Sequence, residues 1–358
     1  MLNFTVGPVM SEDAVLKIGG ESSPYFRTPE FSAIMKENEQ LMLRFLKAPE
    51  QSRCVFLTTS GTGAMESLVM NVLNEHDKVL VINGGSFGAR FAELCLLHGR
   101  DMTEIKLDFG CQITKEHLEP FRGCGYTSLL VNMGETSSGI LYDMELLARF
   151  CKEEGLLLLV DAISTFLADP IDMEALGAAA VITGSQKALA VHPGISVVAL
   201  NDNAIKRVEK NKEICMYLSL KEALKNGERG QTPFTPAVTT LLEIHERLLS
   251  IERNGGLEKE QKDIEKRAKR FREAIQDMPL EIVPDAMSNT LTTLRPTKVG
   301  ARAIVDYAKE EYGLWLCPNG GAMADKVFRV GHIGAITDED MDVLIHAFMD
   351  MHEKGILG

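Results

Sequence analysis

One lysine of the sequence sits where water is scarce. Lys187 lies in ITGSQKALAVHPG (182–194), just after the apolar run AAAVI and just before ALAV. Such a lysine can snorkel its ammonium from a strand end into solvent. It can also keep an amine in a dry pocket, ready to form an imine with a carbonyl. Asp161 leaves the apolar run LLLLVDA just as abruptly. A carboxylate there either caps the next helix or meets a buried cationic or protonated partner.

Three more polar segments end apolar runs. TTSGTGAME (58–66) sets hydroxyls and glycines before a helix. Ser60, Gly61 and Thr62 could seat a phosphate on free N–H groups and the positive end of the helix dipole. An ordinary N-cap at Ser60 or Thr62 reads equally well, since the segment is neither a Walker loop nor GxGxxG. In NGGSFGARF (83–91), Phe87 could stack on a flat ligand or simply pack. In NMGETSSGI (132–140), Thr136 could donate to a ligand oxygen or belong to a plain turn. Each segment is ambiguous alone. Taken in chain order they offer a phosphate seat, a ring, a carboxylate and a sheltered lysine, which is the set that pyridoxal 5′-phosphate (PLP) needs.

The elements that must position these groups are legible. Strands are expected at 54–59, 78–85, 128–135, 156–164, 179–185 and 195–201, with helical spacing at 64–73 and 145–155 between them. Strands that are apolar throughout and alternate with helices imply a mostly parallel sheet covered on both faces. Such sheets bind ligands at the carboxyl ends of their strands. After about residue 240 come two long amphipathic helices, whose charge run reads most simply as a solvated face. Short strands follow near EIVP, NTLTTLRP, LWLCP and VFRVGHIG, with a helix near 300–312 and a last one from Asp338. The expected organisation is an N-terminal segment (1–15), a large α/β domain (16–250) and a smaller α+β domain (251–358).

Composition excludes several classes. The 358 residues are 45% hydrophobic with a net charge of −13, so neither a nucleic-acid backbone nor an anionic membrane is expected as a partner. The 7 cysteines form no CxxC pair and read as reduced thiols of a cytoplasmic protein. The 8 histidines show no metal-binding spacing. The first residues do not read as a signal peptide, and no apolar run has the length of a membrane span.

The blocks FRTPEF, SGTGAME, NGGSFGARF, GETSSGIL, VDAIST, GSQKAL, QTPFTPAV and FRVGHIG, in this order, resemble the class V aminotransferases of the PLP-dependent fold type I group. The branch most similar holds alanine–glyoxylate, serine–pyruvate and 2-aminoethylphosphonate–pyruvate aminotransferases. The resemblance implies that Lys187 carries the cofactor as a Schiff base and that Gln186 contacts its phosphate beside Ser60, Gly61 and Thr62. It implies Phe87 stacked on the ring, Thr136 at the phenolic oxygen and Asp161 at the ring nitrogen. Arg329 would hold the substrate carboxylate, with Gly7 at the substrate end. QTPFTPAV would reach a neighbouring subunit's phosphate through Thr235 and Gln231, making a homodimer with active sites at the interface. The implied reaction moves an amino group from a small amino acid, such as alanine or serine, to pyruvate or glyoxylate by ping-pong kinetics. The chain departs from its relatives at Phe26-Arg27, where many carry His-Arg, and in a longer NGGSFG turn. Three other readings stay open. One is a 2-aminoethylphosphonate aminotransferase. Another is a cysteine desulfurase or related lyase, for which Cys317 is the candidate thiol although Gln186 stands where such enzymes usually carry His. The third is a PLP-binding module without activity.

Overall fold

The computed structural model describes all 358 residues. The chain opens with a short strand, β1 (Leu2–Phe4), then α1 (Asp13–Gly19) and α2 (Pro29–Phe45). Strand and helix then alternate through β2 (Arg53–Leu57), α3 (Gly61–Asn71), β3 (Lys78–Asn83), α4 (Ser86–Leu97), β4 (Asp101–Lys106), α5 (Lys115–Leu118) and β5 (Ser128–Asn132). A small hairpin, β6 (Gly134–Glu135) with β7 (Ile140–Leu141), precedes α6 (Met144–Glu154), β8 (Leu157–Asp161), β9 (Ala178–Gly184) and β10 (Ser196–Leu200). Four helices follow: α7 (Asp202–Lys210), α8 (Leu220–Gly227), α9 (Val238–Arg253) and α10 (Gly256–Ala274). The chain closes with β11 (Leu280–Ile282), β12 (Leu291–Pro296), α11 (Ala301–Tyr312), β13 (Leu314–Pro318), β14 (Phe328–Gly331) and α12 (Asp338–Glu353).

The first sheet has seven strands in the order β2-β10-β9-β8-β5-β3-β4. All run the same way except β10, which is antiparallel to both neighbours. The carboxyl ends of β2, β3, β5, β8 and β9 therefore open on one edge, which is the edge the polar segments occupy. The central strands are apolar throughout because both faces are covered: Val131 and Val160 enter one core cluster, Leu130 and Leu159 the other. Burying each such side chain fully is worth about 1.5–3 kcal/mol.

Three expectations change in detail. β4 was not expected: DMTEIK is polar, and Ile105 is its one buried residue. It persists because it pairs along its whole length with β3 as an edge strand, where one face meets water. The strand expected at 128–135 stops at Asn132, and Gly134–Glu135 belongs to the separate hairpin. The strand expected at 156–164 stops at Asp161, whose own Oδ1 accepts from Ile163 N at 2.7 Å and turns the chain.

The second sheet has the order β1-β13-β14-β12-β11, antiparallel except for β1 beside β13. Residues 2–4 thus join the C-terminal part of the chain rather than standing apart. Phe271, Phe328 and Phe348 fill the core between this sheet and its helices. The expected division at 250/251 falls in the last turn of α9. The chain turns at Gly255 and Gly256, with φ of +111° and +80°, into α10.

Candidate functional site

Lys187 sits in the loop between the antiparallel strands β9 and β10. Ser185 closes that loop: its N–H donates to Ile195 O at 2.9 Å, and its Oγ accepts from Ile195 N at 3.3 Å. The lysine is buried, with 9% exposed, and its amine makes no hydrogen bond within the chain. Burial pulls its pKa down to about 8, and the nearby Arg329 guanidinium pulls the same way. Snorkelling is therefore not what this lysine does.

Asp161 ends β8, in register with Asn132 at the end of β5. Burial pushes its carboxyl up to about 7 against the lowering effect of the Ile163 N–H. Glu135 pushes the same way as burial, while Lys187 and Arg90 oppose it. Only Oδ1 is hydrogen-bonded, to Ile163 N. The turn-forming role of Asp161 and a free Oδ2 thus coexist.

Ser60 is the exposed N-cap of α3, and its side chain caps nothing. A Cβ on Gly61 would lie 2.3 Å from Ile163 Cδ1, so this loop packs on the turn after Asp161. Thr62 Oγ1 accepts from Arg90 Nη1 at 3.2 Å, and the Arg90 guanidinium lies 4.9 Å from the Phe87 ring centroid. Phe87 is half-buried in the first turn of α4. Thr136 is buried and its hydroxyl makes no hydrogen bond in the chain. Gln186 is half-buried, likewise with an uncommitted side chain.

Arg329 comes from β14, on the other sheet. Its Nη1 donates to Thr136 O at 3.1 Å and its Nη2 to Pro318 O at 2.8 Å. Its Nε is buried without a partner. No acid pairs with it: Asp325, the partner that a purely structural reading would need, accepts instead from Arg302 N at the start of α11. Gly7 also reaches the site, since a Cβ on it would meet Lys187 Cδ at 2.7 Å.

Two residues fall elsewhere. Gln231 is buried and its amide is spent within its own chain, donating to Phe26 O and Ser32 Oγ and accepting from Arg27. It holds the QTPFTP segment in place and has nothing left to offer a phosphate. Thr235 is exposed and its side chain makes no hydrogen bond in the chain. Sequence reasoning missed Glu135, Arg90 and Asn132. Asn132 is buried beside Asp161 with neither carboxamide atom partnered. A polar residue at the last position of an apolar strand was the available signal, the one already used for Asp161.

A dry amine, a carboxylate with a free oxygen, a helix N-terminus and an unpaired arginine thus converge between two sheets. That combination, on a doubly covered and mostly parallel sheet, defines the fold type I group of PLP enzymes. The Aminotransferase class-V family profile matches residues 20–316, and the chain belongs to that family. It is a PLP-dependent aminotransferase.

Similarity to known proteins spans almost the whole chain. The soluble hydrogenase 42 kDa subunit of Anabaena cylindrica is 29% identical over 342 residues, covering 94% of this chain and 88% of that one. The alanine–glyoxylate aminotransferase of Oryctolagus cuniculus is 28% identical over 360 residues, covering 96% and 90%. The solved aspartate aminotransferase of subgroup IV from Thermus thermophilus superposes with a TM-score of 0.92 at 27% identity, covering 99% of each chain. The chain leaves uncommitted polar atoms of the kind PLP requires, the Thr136 hydroxyl, Asp161 Oδ2 and the Lys187 amine among them.

Proposed function

We propose that the enzyme moves an amino group from a small amino acid, such as alanine or serine, to pyruvate or glyoxylate, as a cytoplasmic homodimer. The observation that carries the substrate class is Arg329. It is a cation without an acid partner, close enough to Lys187 to depress its pKa. A planar guanidinium suits a carboxylate through two parallel hydrogen bonds. The two backbone carbonyls that Arg329 contacts orient it without neutralising its charge.

PLP, when bound, supplies an aldehyde and an electron-withdrawing ring. The chain's residues do the rest. The N–H groups at the start of α3, with Ser60, Thr62 and Gln186, hold the phosphate. Phe87 covers one face of the ring. Asp161 keeps a proton at the ring nitrogen as a carboxylate; burial opposes its ionisation, and a protonated ring beside it offsets that cost. Lys187, with an amine that loses its proton near neutrality, takes a proton from the substrate α-carbon as general base. Burial of that amine excludes bulk water from the step. Thr235 is exposed beside the stacked Tyr217 and Phe234 rings, which supports its meeting a second subunit. Exposed Ile214, Met216 and Tyr217 extend that surface, and covering them fits a dimer. The 7 free cysteines support a reducing compartment, and no helix is long and apolar enough to cross a membrane.

The test is a donor panel of alanine, serine, aspartate, 2-aminoethylphosphonate and cysteine against pyruvate and glyoxylate. Turnover of alanine or serine supports the reading. Turnover confined to 2-aminoethylphosphonate, or sulfide release from cysteine, replaces it. Cys317 makes the cysteine arm necessary, because its Cα is paired across the sheet with that of Arg329.

A further inference from the structure

Glu135 is wholly buried, and the donors to its carboxylate include no cationic side chain. A buried carboxylate is costly unless its oxygens are well bonded. Here Oε2 accepts from Phe87 N at 3.1 Å and Gly88 N at 3.0 Å, and Oε1 accepts from Ser137 N at 3.1 Å and Ser137 Oγ at 2.5 Å. Two of these donors open α4, where the helix dipole favours negative charge. The same short turn reaches further. Ser137 Oγ accepts from Ser86 N at 3.2 Å, Thr136 O accepts from Arg329, and Ser137 O accepts from Asn319 Nδ2 at 2.9 Å. The fit is close, because a Cβ on Gly85 would lie 2.3 Å from Ser137 Oγ and 2.6 Å from Glu135 Cδ.

We propose that Glu135 is a positioning residue that locks the first turn of α4, so that the Phe87 ring is held in the plane on which the cofactor ring stacks. This inference rests on the assignment of Phe87 as the stacking ring. The backbone N–H of Phe87 is one of the groups Glu135 holds, so the backbone from which the ring projects is fixed in place. Arg90, on the next turn, braces the ring. Glu135 therefore acts on the ring that touches the cofactor while itself touching only protein.

The test is a double-mutant cycle read by PLP titration and by the visible circular dichroism of the bound cofactor. Glu135→Gln keeps the shape but turns an NH2 group toward N–H or O–H donors. Hydrogen bonds to charged groups are worth about 1.5–3 kcal/mol, so the PLP Kd should rise roughly ten- to a hundred-fold, with a weaker dichroic band. In a Phe87→Leu background the same substitution should change Kd by less than about threefold, because the ring it positions is gone. An equal loss in both backgrounds makes Glu135 merely structural and overturns the proposal, as does an unchanged Kd in Glu135→Gln. Wild-type protein that fails to bind PLP overturns this inference and the assignment of Phe87 together. If Glu135→Gln does not fold, Ser137→Ala takes its place. It removes one donor to Glu135, and absence of coupling to Phe87→Leu then overturns the proposal.

Discussion

Gly7 lies against the stem of Lys187: a Cβ built on it would sit 2.7 Å from Lys187 Cδ and 2.9 Å from the Gln186 carbonyl oxygen. Its φ of +125° is a conformation that residues with side chains rarely adopt. The N-terminal residues thereby form one wall of the lysine pocket. Gly7→Ala should cost about 1–3 kcal/mol in backbone strain and should push Lys187 from its place. The expected outcome is at least a tenfold fall in turnover, checked by steady-state kinetics alongside a thermal melt. Unchanged kinetics would show that the lysine stem tolerates the contact.

Lys187→Ala should abolish transamination and the borohydride-fixable attachment of PLP while leaving the fold intact. The pH dependence of attachment carries the sharper test. An amine attacks only when neutral, and burial brings this one to about 8 from an ordinary value of 10.5. The rate of PLP incorporation into cofactor-free protein should rise with pH to a plateau with a midpoint near 8. A midpoint at the ordinary lysine value would mean that the amine is not desolvated.

Asp161 links stability and activity with opposite signs. Its folded pKa is raised, to about 7 from 3.8, so the native state binds a proton that the unfolded chain releases between those values. Stability from this group is therefore greatest at acid pH and is lost as pH rises towards 7. Asp169, raised to about 6 mainly by burial, works in the same sense. Asp161→Asn mimics the protonated form, so PLP-free Asp161→Asn should melt higher than wild type at pH 8 and equally at pH 4. A shift of about three pKa units corresponds to roughly 4 kcal/mol. Turnover should nonetheless fall by orders of magnitude, because an amide cannot hold the ring-nitrogen proton as a carboxylate does. Melts of both proteins across pH, with kinetics at pH 8, check the pair of signs.

Arg329→Lys should lower kcat/KM for carboxylate donors by roughly ten- to a thousand-fold, since charged hydrogen bonds are worth about 1.5–3 kcal/mol each. The Tm should change little, because Arg329 breaks no ion pair when replaced. Cofactor absorbance should be unaltered. A large fall in Tm with unchanged kcat/KM would make Arg329 structural.

Much of this protein was legible in residue order alone. Apolar runs such as LLLLVD and AAAVITG, of strand length and alternating with helical segments, read as strands buried on both faces, so a mostly parallel sheet followed from hydrophobic patterning. Lys187 and Asp161 stood out because an ionisable group ending such a run must be accommodated where desolvation is costly. β4 was not legible, because an edge strand needs little apolar content and owes its existence to pairing with β3. Glu135 was not legible either. A glutamate among GETSSG reads as a solvated turn; Ser137 supplies local donors, and the arrival of α4 from 47 and 48 residues away completes the set that lets the carboxylate be buried. Gln231 shows the converse: a residue free to reach outward in sequence is tied down by Phe26, Arg27 and Ser32 in space. Patterning along the chain determines which residues are buried. Which polar atoms remain unpaired at Lys187, Asp161 and Arg329 is decided only when distant segments meet, because a hydrogen bond is satisfied by whatever donor lies within about 3 Å, whatever its place in the sequence.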